Sequence, residues 1–523
     1  MKSTTIRIYI GTLLMLLVFS CNDEFLERAP LDTPSLETFW ETEDHAEMWV
    51  NNLYTGLEGA EQSIFEAFSD NAWGRAGSGA NQVAQGSFTT SDGHVNQYWD
   101  YRYIRLSLEF FEYIDQIPDI SQSRVDELSG QVWFMLAYQY YRLVTLYRDV
   151  PLVTTPLEIA GSDVPKNTKA EVLDYVLENL EKAIDLLPLA WPDSENGRIT
   201  KGAAMALKAR VLLYNERWAE AAQAAKDVMD LGIYSLHPNY GELFLRDFNN
   251  QTDEVILAHQ YAESVGTHPG QGIVRRYAPV YLGGFALILP TDDLQGSFQM
   301  ADGSAFDWNN PTHAANPFDN RDPRFYHTFM WQGRDYNGTL VDYTGSEFRF
   351  AWTYLNYVKY VADLQDRFWD TWVNWIIFRY ADILLMYAEA TNEATGPDDS
   401  VYDALDEIRD RVDMPLVDRV TYSDQASLRE FIRNERRVEL AGEGLRYFDI
   451  IRWETAEDVL NREIKSLDLT DWVDLPKDGE GNSLLPVKDV QTRIFNPAKH
   501  YVWPIPQDAI DRSNNLEQHS EWQ

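Results

Sequence analysis

The residues best suited to chemistry in this chain form no catalytic motif. They are aromatic rings placed beside amides and arginines in turn-rich loops. Trp73 stands in "SDNAWGRAGSGANQVAQG", with Asn71, Arg75 and Asn81 close by. Tyr277, Tyr281 and Trp308 stand in a second, longer polar stretch. An aromatic face covers apolar CH surface, while amide and guanidinium groups next to it bond hydroxyls. That combination suits a neutral, hydroxyl-rich ligand such as a sugar, held rather than cleaved. Taken singly, each such ring is more often packing than a ligand contact, so these seven residues are candidates by location and residue type.

Bond-breaking chemistry leaves no comparable trace. The nine histidines make no HExxH or other metal-ligand spacing, so neither a metal nor a cofactor is expected. Ser78 in "AGSGA" is out of frame for a GxSxG nucleophile elbow, and no phosphate loop or EF-hand loop occurs. Among 83 acidic residues, pairs such as Asp292/Asp293 and Asp319/Asp322 arise by chance. A glycosidase needs two carboxylates about 5 to 10 Å apart, which a sequence does not display. The expectation is a protein that is not an enzyme, with a hydrolase as one alternative. The formal net charge of −39 repels phosphate backbones and argues against nucleic acid.

The single cysteine, Cys21, follows "LLMLLVFS" and cannot make an internal disulfide. Lys2 and Arg7 flank an apolar run from Ile8 to Phe19, too short for a spanning helix of roughly 20 residues. A basic start, a short apolar segment and Ser20 before the cut make a secretory signal. With Cys21 next, the segment resembles the lipobox of bacterial lipoproteins, which implies a lipid anchor on Cys21. A plain secretory signal with an incidental cysteine is the alternative. "NDE" then resembles the acidic signal that sends lipoproteins to the outer face of the outer membrane in Bacteroidetes. "RAPLDTPS" reads as an extended tether, and a dozen such residues reach about 40 Å.

The elements that must position the rings are mostly helices. In "KGAAMALKARVLLYNERWAEAAQAAKDVMDLG", Leu207, Val211 and Tyr214 share one face. "NER" turns the chain, Trp218 opens an Ala-rich partner helix, and Gly232 lies beyond its end. This helix pair resembles a tetratricopeptide repeat. "QVWFMLAYQYYRLVTLYRDVPLV" with "EVLDYVLENLEKAIDLLP", and "FRYADILLMYAEATNE" with "VYDALDEIRDRVDMP", predict two further pairs without a fixed 34-residue period. Residues 234–374 differ, being rich in Gly, Pro, Asn, Asp and aromatics, and such irregular inserts commonly build binding surfaces. The fold class expected is mostly α: tetratricopeptide-like pairs form a scaffold, and a loop-rich insert carries the ligand site. The expected divisions are a signal peptide (1–20), a lipidated tether (21–38), an N-terminal helical part (39–233), the insert (234–374) and a C-terminal helical part (375–523). Trp99, Trp369, Trp372 and Trp375 fall in helical patterns and read as packing.

"NERRVELAGEGLRYFDIIRW" reads as a charged structural helix, with Arg436/Glu439, Glu443/Arg446 and Asp449/Arg452 at i, i+3. Glu435 and Glu443 sit beside arginines that would keep them ionised, against a catalytic role. Gly442 and Gly444 are costly in a helix unless the backbone bends or packs closely there. In "DNRDPRF", Asp322 and Arg324 read as a structural ion pair. The first of these stretches resembles the C-terminal signature of the SusD/RagB family, surface glycan-binding lipoproteins of Bacteroidetes. "PLDTPSLETFWETEDHAEMWVNNLYTGL", "AYQYYRLVTLYRDVPLV", "FRYADILLMYAEATNE" and "YVWPIPQDAIDRSNNLEQ" resemble further family landmarks across nearly the whole chain. Leu108 replaces a common Asn, and "QHSEW" replaces the usual closing "QNPGY". The resemblance implies a lid on a SusC-like, TonB-dependent transporter that captures an oligosaccharide or polysaccharide at the cell surface. A helical protein-interaction scaffold, or a binder of another nutrient such as a peptide, is the alternative.

Overall fold

The computed structural model describes residues 39–158, 161, 163–246, 252–262, 271–279, 283–336, 338–341, 343, 353–361, 372–467 and 487–523. Cys21, Tyr281 and Trp369 lie outside the described residues, as do the signal and tether.

The first helix of the described residues is α1 (Glu43–Leu53), whose first turn is capped by the Thr42 side chain accepting from the His45 amide. Next come α2 (Ile64–Phe68), β1 (Ala72–Gly74) and α3 (Arg102–Tyr113). The scaffold proper is α4 (Gln122–Tyr147), α5 (Lys169–Leu186), α6 (Lys201–Tyr214) and α7 (Trp218–Met229). Each start is legible in the local chemistry. Ser121 and Thr200 cap α4 and α6, and Thr168 with Glu171 forms a reciprocal capping box on α5. Nearly every side chain of α6 is buried, so it packs on all sides. Gly202 lets Tyr234 close on it, for a Cβ there would collide with the ring.

The scaffold continues across the insert. Helix α7 packs on α8 (Tyr380–Thr395), which in turn packs on α9 (Asp399–Asp410) and α10 (Gln425–Glu439). The helix pairs read from the sequence are therefore neighbours in one continuous stack. Between α7 and α8 the described residues make short helices and strands, among them β2 (Val255–His259) and β3 (Ile288–Pro290). Strand β2 pairs antiparallel with β4 (Trp375–Arg379), so the insert is hydrogen-bonded to the residues that lead into α8. Trp375 is buried as expected but in this strand, stacked on Tyr360, and not in a helix. Trp99 packs on Tyr147 from the turn before α3. After α10 come α11 (Arg446–Arg452) and an antiparallel pair, β5 (Glu463–Leu467) with β6 (Val487–Thr492). One core runs from Trp40 to Trp503 through the helices and strands β1 to β4, and a smaller cluster of Ile450, Ala456, Leu460 and Phe495 lies beside it.

The charged signature differs from a surface helix. Helix α10 ends at Glu439, and Gly442 and Gly444 take left-handed conformations at φ 79° and 76°. At Gly444 a Cβ would lie 2.6 Å from the Gln62 carbonyl oxygen, so the bend requires glycine. The bend parts Glu443 from Arg446, and Arg436 and Glu439, though both in α10, turn to other partners, so of the three expected pairs only Asp449–Arg452 forms, at 2.9 Å. Glu439 instead meets Arg411 at 2.6 Å, Arg379 at 2.7 Å and Arg324 at 2.9 Å. Glu443 meets Lys359 at 2.7 Å and Arg379 at 2.8 Å. Arg436 joins Asp382 at 2.6 Å to Asp449 at 2.8 Å, and Arg210 bonds Asp382 from α6. Burial alone would raise the Glu439 carboxyl, but its three arginines outweigh that and hold it well below the usual range. This buried network fastens the insert, through Glu254, Arg324 and Lys359, to the scaffold and the C-terminal segment. Asp322 and Arg324 pair at 2.7 Å, as read from the sequence.

Candidate functional site

Residues of the Trp73 loop and strand β6 face each other across a cavity of about 780 Å³. That lies within the range of roughly 300 to 1,000 Å³ usual for small-molecule sites. One wall carries Trp73, Arg75, Asn81 and Gln85; the other carries Lys488, Asp489, Gln491 and Thr492.

Trp73 is the middle residue of β1, paired with Leu289 of β3. Its neighbours Ala72 and Gly74 are buried while Trp73 is half-buried, so the alternation of a strand turns its ring outward. Gly74 lets the loop fold back, since a Cβ there would stand 2.6 Å from the Ala80 Cβ. Arg75 is braced by the insert: its amide and guanidinium donate to the Leu287 and Phe285 carbonyls at 2.9 and 2.8 Å. Asn81 accepts a hydrogen bond from Gln491 Nε2 at 3.0 Å, which joins the two walls.

Behind them Arg493 fixes the spacing. It is 1% exposed and donates to the carbonyls of Ala72, at 2.6 Å, and Ser69. Its Nε donates to Gln491 Oε1 at 3.2 Å. Burial pulls the guanidinium down to about 10, which still leaves it charged at neutral pH. Chemically the cavity offers one aromatic face, amide donors and acceptors from Asn81, Gln85 and Gln491, and opposite charges on Lys488 and Asp489. That inventory bonds hydroxyls and covers an apolar ring face.

The structure thus brings together Trp73, Arg75 and Asn81, whereas Asn71, Tyr277 and Trp308 do not line the same cavity. Asn71 is 1% exposed; its amide donates to Glu66 at 3.0 Å and its Oδ1 accepts from Arg437 at 2.8 Å. Tyr277 is fully buried, stacks near Tyr357 and donates to the Gly442 carbonyl at 2.9 Å. Neither has surface to offer a ligand, and both are structural. Trp308 is half-buried, packs edge-on against Phe306 and donates to Asp292 at 3.1 Å. It does not line this cavity. Sequence reasoning missed the wall formed by β6. "VKDVQTRIF" is a short polar strand whose importance comes only from its contact with residues some 410 positions earlier.

Of the acidic pairs singled out as chance neighbours, Asp292, Asp293 and Asp322 are committed to other partners, while Asp319 is exposed. Asp292 accepts from Trp308 and Gln295, Asp293 pairs with Arg462 at 3.2 Å, and Asp322 with Arg324. Among the described residues no cluster of three or more His, Cys, Asp or Glu side chains could hold a metal ion.

Comparison with known proteins agrees with this architecture. Residues 253–522 match the SusD family model, and residues 24–213 match a second, SusD-like model described as starch-binding associating with outer membrane. SusD-like protein P25 of Formosa agariphila is 27% identical over 500 residues, spanning 88% of this chain and 92% of that protein. The crystal structure of a SusD-like carbohydrate binding protein from Bacteroides fragilis superposes with a TM-score of 0.82 at 29% identity, over 92% of this chain and 100% of that one. A further SusD-like protein from the same species gives 0.80 at 28% identity, over 94% and 100%. With more than half of the chain inside one family model and the helical stack shared with solved members, this protein belongs to the SusD family.

Proposed function

We propose that this protein is a non-catalytic surface lipoprotein that captures an oligosaccharide or polysaccharide in the Trp73 cavity and passes it to a TonB-dependent outer-membrane transporter. The observation that carries the reading is the outward-turned Trp73 ring within a cavity whose two walls supply amides and opposite charges. Sugar recognition needs that combination, in which the ring covers CH surface and the amides bond hydroxyls. The similarity to a carbohydrate binding protein at 29% identity supports the ligand class. The commitment of Asp292, Asp293 and Asp322 to other partners supports binding without cleavage.

In this reading Cys21 carries the lipid, residues 21–38 form the tether, and the helical stack is the frame for delivery to the transporter. A native gel cast with each of a panel of neutral polysaccharides tests capture, and chromatography of the incubated polysaccharide tests cleavage. Retardation by at least one polysaccharide with no shortened product is expected. Shortened chains would replace this reading with a hydrolase. Cys21→Ala should abolish labelling by radioactive fatty acid, and gentle detergent extraction should co-purify a β-barrel transporter with the unaltered chain.

A further inference from the structure

A groove of about 480 Å³ runs between the first half of α3, the segment that follows α4 and the C-terminal stretch. None of its lining residues belongs to the Trp73 cavity. Its floor is apolar, with Ile104, Leu108, Val153, Pro156, Leu157 and Leu516. Hydrogen bonds tie its sides together. The Tyr101 hydroxyl donates to the Pro151 carbonyl at 3.0 Å, and Asp163 accepts from the Ser513 hydroxyl at 2.5 Å and the Asn515 amide at 3.2 Å. Leu157 at the edge is 41% exposed. Apolar surface rimmed by charge marks a place where another segment docks. Here the rim is basic, for Arg102, Arg105 and Arg512 are all exposed. Arg105 pairs with Glu109 and Arg512 with Asp508, whereas Arg102 makes no ion pair among the described residues. In a chain of net charge −39, such a rim selects an acidic occupant.

The chain itself carries an occupant of that kind. Residues 22–38, outside the described residues, hold Asp23, Glu24, Glu27, Asp32 and Glu37 against Arg28 alone. Phe25, Leu26, Pro30 and Leu31 are interleaved with them. The described residues begin close to the groove. Phe39 packs on Trp49, whose indole donates to the Leu106 carbonyl in the middle of α3 at 2.8 Å. Arg102, Ile104, Arg105 and Leu108 of that same helix line the groove. Residues 31–38, if extended, span up to about 26 Å at roughly 3.3 Å each, enough to pass around a helix about 10 Å across. We propose that residues 24–31, "EFLERAPL", dock in this groove, their apolar side chains on its floor and their carboxylates towards Arg102 and Arg512. With Cys21 lipidated, docking leaves only residues 22 and 23 between the lipid and the body, so this face turns to the membrane. That consequence rests on the lipid anchor of the proposed function; the docking itself does not.

The test uses the soluble mature chain, residues 22–523, which holds no cysteine once Cys21 is left out. Leu26→Cys is combined with Leu157→Cys and, as a control, with Val420→Cys, an exposed position outside the groove. Disulfide formation in glutathione buffer is followed by peptide mass spectrometry. Ala509→Cys, also in the lining, replaces Leu157→Cys if that variant does not fold, and melting temperatures report the folding of each. An intramolecular disulfide to the groove is expected about tenfold faster than to Val420, because docking raises the effective concentration of the two thiols. Adding Arg102→Glu and Arg512→Glu should slow it about fivefold, since reversed rim charges repel the acidic segment, while Arg102→Lys leaves it unchanged. Equal rates at the groove and the control position overturn the proposal. So does a rate that charge reversal leaves unaltered, or a disulfide that joins two chains, which puts a second copy in the groove. Neither polysaccharide binding nor lipid labelling enters this readout, so failure here leaves the Trp73 site and the anchor intact.

Discussion

Gln491 Nε2 donates to Asn81 Oδ1 at 3.0 Å across 410 residues of sequence. This one bond links the two walls of the Trp73 cavity, and both amides keep further capacity for a ligand. Asn81→Ala and Gln491→Ala should each weaken polysaccharide binding by about 1 kcal/mol, with the double variant losing less than the sum. Calorimetry on the four proteins checks this. Strictly additive losses would show that the two amides act apart.

Arg493 is the support behind that wall. Arg493→Met removes the charge and leaves the Ser69 and Ala72 carbonyls without their buried donor. The expected cost is about 2 to 4 kcal/mol of folding stability, as two acceptors go unsatisfied. Affinity should fall as well, because β6 loses its fixed distance from β1. Denaturant titration and binding, measured together, check both. Arg493→Lys should recover part of each.

Glu439 holds three arginines in the interior. Glu439→Gln leaves Arg324, Arg379 and Arg411 buried with less negative charge around them. Breaking a buried pair on one side costs about 3 to 5 kcal/mol. Chemical denaturation should show that loss, or the variant should fail to accumulate. A change below about 1 kcal/mol would mean the network is far better solvated than its burial indicates.

Two buried histidines set a pH dependence. Burial, then Lys499, pushes the His500 ring down to about 4, and its Nδ1 accepts the Asn496 amide, a bond that protonation forbids. Burial, then Lys166 and Arg148, does the same to His519. Unfolded, each ring takes a proton near its ordinary value of 6.5. Between 6.5 and about 4 the unfolded chain therefore binds more protons, so stability is complete above that window and declines as pH falls through it. Asp70 and Asp382, although buried, are held well below the usual carboxylate range by arginines, and their contribution is lost only at lower pH. Scanning calorimetry should show the melting temperature dropping from pH 7 to 4. The slope should shrink in a His500→Asn, His519→Asn double variant.

The helix pairs were legible because apolar period and caps are local: Thr168 with Glu171, Thr200, and the Ala-rich face of α7 announce themselves within a few residues. Exposure of a single side chain is not local. Asn71 and Tyr277 have the residue types of a sugar site, yet Glu66, Arg437 and the Gly442 carbonyl claim them from distant segments. The i, i+3 reading of the charged signature assumed one helix from Asn434 to Trp453. The left-handed glycines 442 and 444 break it, and partners from four other segments take the charges. Half of the Trp73 cavity was legible from its own loop. The other half lies in a strand whose sequence alone carries no mark of a site.

The Trp73 ring is the central contact of the proposed sugar site, and calorimetry of Trp73→Ala against a polysaccharide that retards the unaltered protein tests it. Loss of a half-buried aromatic anchor should weaken binding by about 1 to 3 kcal/mol. The melting temperature should change little, because the ring faces the cavity. Binding should be enthalpy-driven and unaffected by salt, as suits polar contacts with a neutral ligand. Trp308→Ala, remote from the cavity, should leave affinity unchanged. Full affinity in Trp73→Ala, or its loss in Trp308→Ala alone, would contradict the account.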